Sequence, residues 1–312
     1  MVKESPLISI VIRSYNEGWA LGETLAALCV QDYPNWELIV IDGGSSDGSK
    51  ALIEEAKPQH FIQIEAADYN PSRVMNQGMR LARSNLVIFL NADATPIGRN
   101  WLRPLVESLQ DRRVAAVFGR QFARPNCDAV YAADYDRCFG NEGAPAHLQN
   151  FFSMVSSGIR KDIWALRGFN ERMQFSEDDE YTRWCRAMGY KVVYVPESGV
   201  THSHNYGPRQ AARRQHGEGV ALAMVWEGSP RELNFFRTVL LGCVKDARRD
   251  LMYCYRNKRM REWPYGLYIR YVQRSARLKG FRSGWKRFRE NSQDSSILPP
   301  VWLPDSERKL SI

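Results

Sequence analysis

Three short polar clusters in this chain carry side chains that could do chemistry: Ser14–Glu17, Asp42–Asp47 and Asn91–Asp93. Each cluster follows a β-branched or aliphatic run of the kind that forms a buried strand. Mg2+ and Mn2+ take few protein carboxylates and complete their coordination with phosphate oxygens and water. Asn91–Asp93 therefore predicts either a cation that also touches a diphosphate, or an Asn/Asp turn or helix N-cap before Pro96. Taken alone, such a motif is more often the turn.

The loop at residues 42–48 reads DGGSSDG, which is polar and rich in glycine. Such a loop lets the backbone approach a nucleotide closely. It matches neither GxGxxG nor a Walker loop. The alternative is a strand-to-helix turn in which Asp47 caps the helix, and the residues alone favour neither interpretation.

Four acidic residues stand together at Glu177–Glu180. Adjacent carboxyl groups raise one another's pKa unless a positive charge is near, which suits a general base. The alternative is a helix N-terminus, where acids interact favourably with the helix dipole and where Arg183 and Arg186 would pair with them at helical spacing. That alternative accounts better for the last two acids than for the first two.

Two histidines, His202 and His204, follow a short β-branched run. On an extended segment alternate side chains point to opposite faces, so we expect only one of them to be a ligand. A single neutral histidine more often completes a hydrogen-bond network than binds a metal. With a cation already predicted at Asp93, one histidine becomes a reasonable additional ligand.

Strands and helices alternate in the N-terminal part of the chain, which predicts βαβ units and a mostly parallel sheet. The predicted strands are Leu7–Ile12, Trp36–Ile41, Phe61–Glu65 and Leu86–Leu90, and the predicted helices are Trp19–Val30, Ser49–Ala56 and Arg73–Ala82. Ligands of such sheets bind beyond the carboxyl ends of the strands. The three polar clusters all fall there, which is the first indication of a functional site.

Composition excludes several protein classes. The 312 residues suffice for about two domains, or for one large α/β domain with an appendage. Hydrophobic residues make up 44% and charged residues 25%, which excludes wholesale disorder, collagen and coiled coil. The six cysteines form no CxxC pattern, so neither a zinc site nor a disulfide framework is predicted. No stretch is apolar enough for a membrane span or a signal peptide, so we expect a cytoplasmic protein.

Charge divides the chain into two parts. Residues 1–204 contain 21 Lys and Arg against 25 Asp and Glu, a net −4, whereas residues 205–312 contain 22 against 10, a net +12. The second part interleaves Arg with Tyr, Trp and Phe, as do amphipathic helices at membrane interfaces, and residues 297–304 are predicted to be irregular. Packing of these helices within the protein explains the pattern equally well, and nucleic-acid binding explains it less well.

Taken in order, these motifs resemble the family-2 glycosyltransferases of GT-A fold. The resemblance rests on SYNE, DGGSSDGS, NPSRVMNQG, FLNAD, GFNERMQFSED and VTHSH, and it covers about residues 7–225. Within the family, four segments are most similar to bacterial rhamnosyltransferase-type members: NPSRVMNQG, FLNADATP, VFGRQ and HSHNYGPRQAARR. The resemblance implies an α/β GT-A (Rossmann-like) domain with a mostly parallel sheet flanked by helices over residues 1–225, followed by a basic, aromatic-rich helical extension over residues 226–312.

The resemblance also implies how a nucleoside diphosphate sugar would be held. The residues implied at the base, ribose and diphosphate are Ser14, Tyr15, Asn16, Glu17, Asp42, Arg73, Asn76, Asn91, Ala92 and Asp93. The last three match the family's DxD motif, with Asn91 in place of the first Asp. Asp93 would bind Mg2+ or Mn2+, and His202 would be a late metal ligand with His204 as the alternate.

Catalytic and acceptor residues follow from the same resemblance. Asp178, with Glu177 beside it, would be the general base that takes a proton from the acceptor hydroxyl. The residues implied near the acceptor are Arg120, Gln121, Ser157 and Gly158, and the first two could line the donor site instead. An Arg after a strand is also often only part of a structural ion pair.

The resulting prediction is an inverting, metal-dependent transferase of polysaccharide biosynthesis in the bacterial cell envelope. It would move a sugar, with dTDP-rhamnose the favoured donor and UDP- and GDP-sugars as alternatives, to a hydroxyl of a glycan or lipid-linked acceptor. The enzyme would lie in the cytoplasm, with its basic part on the inner face of the membrane. The alternative is a catalytically degenerate module that binds nucleotide sugar, membrane or nucleic acid through that basic part.

Overall fold

The computed structural model describes residues 5–140, 150–225 and 233–287, which form two compact units. The sheet unit comprises residues 5–122, 138–140, 150–173 and 177–202, and the helical unit comprises residues 123–137, 174–176, 203–225 and 233–287. The helical unit thus draws segments from both sides of residue 225, while the predicted division into 1–225 and 226–312 stays a prediction. The segment 297–304, predicted to be irregular, lies outside the described residues.

An eight-stranded mixed sheet forms the sheet unit, in the order β3-β2-β1-β4-β7-β6-β8-β5. The strands are β1 (Ile8–Ser14), β2 (Trp36–Asp42), β3 (His60–Gln63), β4 (Leu86–Asn91), β5 (Thr95–Pro96), β6 (Val114–Phe122), β7 (Ser156–Arg160) and β8 (Lys191–Thr201). Four pairings are parallel, and the three that involve β7 or β5 are antiparallel. The predicted α/β class with a mostly parallel sheet is confirmed, and the antiparallel β7 was not predicted.

Ten α-helices are described in the two units. The sheet unit carries α1 (Gly18–Cys29), α2 (Ser49–Ala56), α3 (Pro71–Leu81), α4 (Leu102–Leu109), α6 (Lys161–Trp164) and α7 (Glu177–Ala187). The helical unit carries α5 (Ala129–Cys138) except for its last residue, α8 (Pro208–Val225), α9 (Gly242–Arg256) and α10 (Trp263–Trp285). The three helices predicted in the N-terminal part match α1, α2 and α3 to within two residues.

The central strands are buried on both faces, which is why their sequences read as continuous apolar runs. Ile8–Ile12 in β1 and Val87–Leu90 in β4 are inaccessible to solvent. Helix α3 starts where the sequence predicts, because the Asn70 side chain accepts a hydrogen bond from Arg73 N at 2.9 Å and Pro71 opens the first turn. Rigid strand ends and capped helices fix the loops that carry the polar clusters.

In the helical unit, α8 and α10 pack with their backbones in contact. A Cβ atom on Gly219 would lie 2.1 Å from Arg277 O, and one on Gly280 would lie 2.0 Å from His216 O. Only glycine fits at either position, since real Cβ atoms do not approach so closely.

Part of the basic sequence is used for packing inside the helical unit. Arg270 is buried and donates to Asp134 at 2.7 Å and to Asp250 at 2.8 Å. Arg274 donates to Asp246 at 2.6 Å. The packing interpretation is therefore correct for these arginines. Among the described residues, none of the helices has the length and apolarity needed to cross a membrane.

Glu37 in β2 connects the sheet to the loop before β4. Its side chain is only 1% exposed and accepts hydrogen bonds from Ser9 Oγ at 2.6 Å, from Arg83 N at 2.8 Å and from Arg83 Nε at 2.5 Å. Burial alone would raise the pKa of this carboxyl, but these hydrogen bonds outweigh it and leave the pKa below its ordinary value of 4.5.

We therefore expect Glu37→Gln to lower the free energy of unfolding at pH 7 by about 1–3 kcal/mol, because it removes charge-assisted hydrogen bonds from a buried site. A lowered folded-state pKa means that ionised Glu37 stabilises the fold above the unfolded-state pKa, and that this stabilisation is lost as the pH falls through the folded-state pKa. Urea denaturation should show the difference between the two proteins shrinking below about pH 4.5. Glu54→Gln, at an exposed position of α2, is the control and should show no such trend. A difference that is constant with pH would contradict this role.

Candidate functional site

The predicted polar clusters meet at one edge of the sheet. Strands β2, β1 and β4 lie side by side and parallel, with Ser14 paired to Asp42 and Arg13 paired to Asn91. The loops that follow these strands therefore leave the sheet next to one another, as the sequence predicts.

Asp42 organises the loop at residues 42–48. Its buried carboxylate accepts hydrogen bonds from Gly44 N at 3.1 Å, from Ser45 N at 2.8 Å and from Ser45 Oγ at 2.5 Å. The carboxylate therefore points into its own loop. Its predicted contact with a nucleotide stays a prediction.

A second set of hydrogen bonds joins this loop to the one after β1. Asn16 has a positive φ of 53°, accepts from Ser46 N at 2.8 Å and donates from its own N to Ser45 Oγ at 2.8 Å. Asp47 accepts from Gly18 N at 2.9 Å and from Ser49 N at 3.1 Å, so it holds the first turns of α1 and α2 together. The predicted strand-to-helix turn is thus present, but Gly48 and not Asp47 is the N-cap of α2, and Asp47 accepts from the first helical N–H.

Two partly exposed tyrosines flank the same loop. A Cβ atom on Gly43 would lie 3.3 Å from Tyr15 Cδ2 and 3.2 Å from Tyr69 Cδ2, which shows how closely both rings approach the backbone. Tyr15 and Tyr69 are both exposed to solvent on their other sides. Aromatic faces of this kind can stack on a planar base. The sequence reasoning missed Tyr69, which lies directly before the Asn70-Pro71 helix start.

Asn91, Ala92 and Asp93 form a tight turn at the end of β4. Ala94 N donates to Asn91 O at 3.0 Å, and Ala92 and Asp93 are inaccessible to solvent. The predicted turn is present, the cation predicted at Asp93 stays a prediction, and the helix N-cap is wrong because the chain continues into β5.

His202 faces the buried Asp93 carboxylate, with Nε2 at 3.5 Å from Oδ2. Its Nδ1 lies 2.9 Å from Gln121 Oε1, and Gln121 Nε2 in turn donates to Ser153 Oγ at 2.7 Å. A carbonyl oxygen can only accept, so Nδ1 carries a proton and donates it to Gln121, and Nε2 is the ring nitrogen that faces Asp93. An imidazole nitrogen and a carboxylate oxygen are both ligands that a divalent cation takes, and a second-sphere amide that orients the ring is typical of metal-binding histidines.

The electrostatics around Asp93 lead to the same conclusion. Burial raises the pKa of Glu17 to about 8, and the negative charge of Asp93 contributes to the rise. Excess negative charge at a buried position of this kind fits a bound divalent cation. His204 lies two residues further along the chain, in the helical unit, where its ring stacks on Tyr206 at 5.2 Å.

The four acids at 177–180 form the first turn of α7, as one interpretation of the sequence predicts. Asp179 pairs with Arg183 at 2.8 Å, and Glu180 pairs with Arg167. Asp178 differs from them, because its Oδ2 accepts from Met154 N at 3.2 Å and its Oδ1 from Asp179 N at 2.9 Å. The half-buried Asp178 carboxylate is thus oriented by backbone amides.

Arg13 connects the turn after β4 with the start of α7. Its Nη2 donates to Asn91 Oδ1 at 2.8 Å, and its Nη1 lies 4.0 Å from Glu177 Oε1. The side chain is only 13% exposed. Sequence reasoning missed this residue, although a charged residue at the end of a buried strand and next to the SYNE cluster was an available signal.

Comparison with known proteins identifies the family. The model of the family "Glycosyl transferase family 2" matches residues 9–188. This chain belongs to glycosyl transferase family 2. It is 31% identical over 230 residues to the O-antigen chain rhamnosyltransferase WbaN of Salmonella anatum, covering 69% of this chain and 72% of that protein. It is also 31% identical over 227 residues to the O-antigen chain rhamnosyltransferase RfbN of Salmonella typhimurium, covering 68% and 71%.

Solved structures agree on the GT-A fold. The mannosyltransferase PcManGT from Pyrobaculum calidifontis, in complex with GDP-Man and Mn2+, aligns with a TM-score of 0.60 at 15% identity and covers 90% of this chain and 88% of its own. TarS of S. aureus in complex with UDP aligns with a TM-score of 0.51 at 12% identity and covers 91% of each chain. The predicted family, fold and enzyme class are confirmed, and the protein is a glycosyltransferase.

Within this glycosyltransferase, Arg73 and Asn76 contact the segment after α6. The Asn76 amide donates to Phe169 O and Glu171 Oε1 and accepts from Trp164 Nε1 and Phe169 N, each at 2.9 Å. Arg73 is exposed and lies 3.6 Å from Glu171 Oε2. All hydrogen-bonding positions of the Asn76 amide are filled, so its predicted nucleotide contact would require an exchange of partners.

The four residues predicted near the acceptor occupy different environments in the glycosyltransferase. Arg120 lies over the Phe122 ring at 4.3 Å and is partly exposed, whereas Gln121 is buried against His202. Ser157 and Gly158 are buried in β7, and a Cβ atom on Gly158 would lie 2.5 Å from Leu109 Cδ1. This placement explains Ser157 and Gly158 by packing, and their assignment to the acceptor site stays a prediction.

We expect Arg13→Gln to reduce the rate of sugar transfer by about tenfold or more, since small displacements of positioned groups are costly in catalysis. The change removes the positive charge that faces Glu177 and the donor to Asn91. The measurement is kcat in a transfer assay, with thermal unfolding as a check on folding. Arg99→Gln removes an exposed arginine paired with Asp32 and should leave the rate unchanged. Equal effects of the two substitutions would contradict this role for Arg13.

Proposed function

We propose that this glycosyltransferase moves rhamnose from dTDP-rhamnose to a hydroxyl of a glycan or lipid-linked acceptor, with inversion at the anomeric carbon. The observation that carries the proposal is the buried Asp93–His202 pair, which shares the loop edge of the sheet unit with the oriented Asp178 carboxylate. The choice of donor is supported by the names of the two Salmonella relatives, both O-antigen chain rhamnosyltransferases. The same names support polysaccharide biosynthesis in the cell envelope as the pathway class.

The loops after β1 and β2 would hold the nucleotide. Tyr15 and Tyr69 offer aromatic faces for the base, and the 42–48 loop exposes backbone beside them. The Ser14 hydroxyl is buried without a hydrogen-bond partner among the described residues, which favours a ligand atom near it. Asp42 and Asn16 would act by fixing the loops, and Arg73 supplies an exposed positive charge for the phosphates.

Asp93 and His202 would hold Mg2+ or Mn2+, with His204 the alternate histidine that the family resemblance implies. The donor set fits such a cation, because a buried carboxylate and an imidazole nitrogen face each other. When bound, the cation would neutralise charge on the departing diphosphate. Gln121 would keep the His202 ring in the tautomer that binds, and Asn91 would keep Arg13 beside the site.

Asp178 would serve as the general base. The acceptor oxygen forms the new bond to the anomeric carbon, the bond from that carbon to the diphosphate breaks, and the acceptor proton passes to the Asp178 carboxylate. One carboxylate is sufficient for a single displacement, which inverts the configuration. Glu177 would support Asp178 through its position beside Arg13, and the Met154 amide would keep the base oriented.

Arg120 would contact the acceptor, since it is the predicted acceptor residue that is both charged and partly exposed. We place the enzyme in the cytoplasm, at the inner face of the membrane, where a lipid-linked acceptor would be presented. The net charge of +12 in residues 205–312 supports an anionic surface as its partner.

The decisive experiment compares donors and removes the base. Wild-type protein is expected to turn over dTDP-rhamnose in preference to UDP- and GDP-sugars, whereas Asp178→Asn should lower kcat by about a hundredfold or more with little change in donor affinity. Product configuration is read by NMR. Asp179→Asn alters the neighbouring acid that pairs with Arg183 and is the matched control. Full activity of Asp178→Asn, or retention of configuration, would rule out this mechanism.

Metal dependence is tested by calorimetry with the dTDP nucleotide. Wild-type protein is expected to bind the nucleotide tightly with Mn2+ and about tenfold or more weakly after chelation, because the cation joins protein and diphosphate. Asp93→Asn and His202→Ala should both lose the Mn2+-dependent increment, and Gln121→Leu should weaken it through the histidine tautomer. Asp32→Asn, at an exposed ion pair, should behave as wild type. Nucleotide binding that is equally tight with chelator would refute the metal site.

A further inference from the structure

Exposed apolar side chains concentrate in one part of the helical unit. Nineteen large hydrophobic residues are exposed among the described residues, and eleven of them lie between Phe235 and Tyr271. Contiguous exposed apolar surface usually marks an interaction site. The eleven residues are Phe235, Phe236, Leu240, Leu241, Val244, Met252, Tyr255, Met260, Tyr265, Tyr268 and Tyr271.

Several of these side chains form a stripe along one helix. Leu241, Val244, Met252 and Tyr255, with Arg248 between them, recur at helical spacing on the continuous helix formed by the π-helical turn Phe236–Leu241 and α9. We call these five residues, Leu241, Val244, Arg248, Met252 and Tyr255, the α9 face. Val244 is 66% exposed and Tyr255 is 72% exposed, so the face is open to solvent.

The acidic side chains of this region all pair with arginines of the helical unit. Residues 233–287 contain fifteen Lys and Arg against three Asp and Glu, a net charge of +12. Asp246 pairs with Arg274 at 2.6 Å, Asp250 with Arg270 at 2.8 Å, and Glu262 with Arg259 at 2.6 Å. Arg249 lies 3.3 Å from Asp246 and 3.6 Å from Asp250. Every acid in this range therefore faces arginines of the same unit.

The other basic residues in this range are all exposed. Among them, Lys245, Arg248 and Arg256 lie on or beside the α9 face. The complete set is Arg237, Lys245, Arg248, Arg256, Lys258, Arg261, Arg277, Lys279, Arg282, Lys286 and Arg287. The outer surface of α9 thus combines aliphatic and aromatic side chains with charge of a single sign.

We propose that the α9 face is a docking surface for an anionic lipid bilayer. Leu241, Val244 and Met252 would enter the boundary between headgroups and acyl chains, and Tyr255 would lie at headgroup depth. Lys245, Arg248 and Arg256 would contact lipid phosphates, whose negative charge complements theirs. Helices that lie in a membrane interface combine an apolar stripe with basic residues beside it, and α9 has both features.

Charge complementarity selects this occupant over two others. A second copy of the chain docking through the same face would bring two positive surfaces together, which is costly. Nucleic acid would satisfy the basic residues, but its phosphate backbone offers nothing to exposed aliphatic side chains such as Val244. A bilayer surface satisfies both kinds of side chain.

This inference rests on the membrane contact in the proposed function, for which it names the surface, and it does not depend on the reaction or on the identity of donor or acceptor. Vesicle binding is measured without sugar transfer, so a failure of the docking surface and a failure of the proposed reaction are separate results.

The test is flotation of the full chain with vesicles. Wild-type protein is expected to bind vesicles that contain phosphatidylglycerol and not vesicles of phosphatidylcholine alone, and high salt should weaken the binding. Val244→Glu/Met252→Glu should reduce binding by about tenfold or more, because it opposes both insertion and charge attraction. Lys245→Gln/Arg248→Gln should reduce mainly the salt-sensitive part of the binding.

Leu166→Glu/Met188→Glu is the matched control, since it changes two exposed apolar residues of the sheet unit and alters the net charge equally. Circular dichroism and nucleotide binding verify that each variant is folded. Equal loss in the control, equal binding to phosphatidylcholine vesicles, or wild-type binding by Val244→Glu/Met252→Glu would overturn the proposal. So would a wild-type protein that ignores anionic vesicles and uses these residues to self-associate in ultracentrifugation or to bind DNA.

Discussion

Negative charge held at the buried ends of β1 and β4 is the constraint to which the rest of the site responds. Asp93 is inaccessible to solvent, and its charge adds to the burial that raises the pKa of Glu17 to about 8. Buried carboxylates are tolerated only where positive charge or hydrogen-bond donors face them. Arg13 supplies such charge between Asn91 and Glu177, while His202 turns its Nε2 toward Asp93. Under the proposed mechanism, a nucleotide-bound cation beside Asp93 would add to this positive charge.

The amide at Asn91 follows from the same constraint. An aspartate at this position would add a further negative charge close to a group of acids that already includes Asp93. The amide oxygen instead accepts the Arg13 hydrogen bond at 2.8 Å and leaves the arginine's charge for Glu177. Asn91 thus preserves the geometry of the turn while reducing the repulsion within it, and the departure from the DxD pattern has a local electrostatic reason.

Local sequence patterns correctly predicted the structural elements that are determined by residues close together in the chain. The start of α3 at Asn70-Pro71, the buried strands β1, β2 and β4, and the loops that follow them all come from spacing within a few residues. Contacts between distant segments could not be predicted in this way. Gln121 contacts His202, which is 81 residues away in sequence, and Asn76 contacts Phe169, which is 93 residues away. Neither contact leaves a recognisable pattern in the residues next to it. Strand β7 was missed for a related reason, because SSGIR has no alternating pattern and its glycine is required by Leu109, which is distant in sequence.

The helical unit shows how one arrangement can serve both stability and surface character. The net charge of +12 in the described residues 233–287 does not by itself show whether the charged side chains face the interior of the unit or the solvent. Two of the three acids lie inside, where Asp250 pairs with the buried Arg270 and Asp246 pairs with the partly buried Arg274. Because these acids pair with arginines inside the unit, they do not neutralise the exposed basic side chains, whose charge is all positive. The same ion pairs that hold α9 against α10 therefore leave the outer surface of α9 positive.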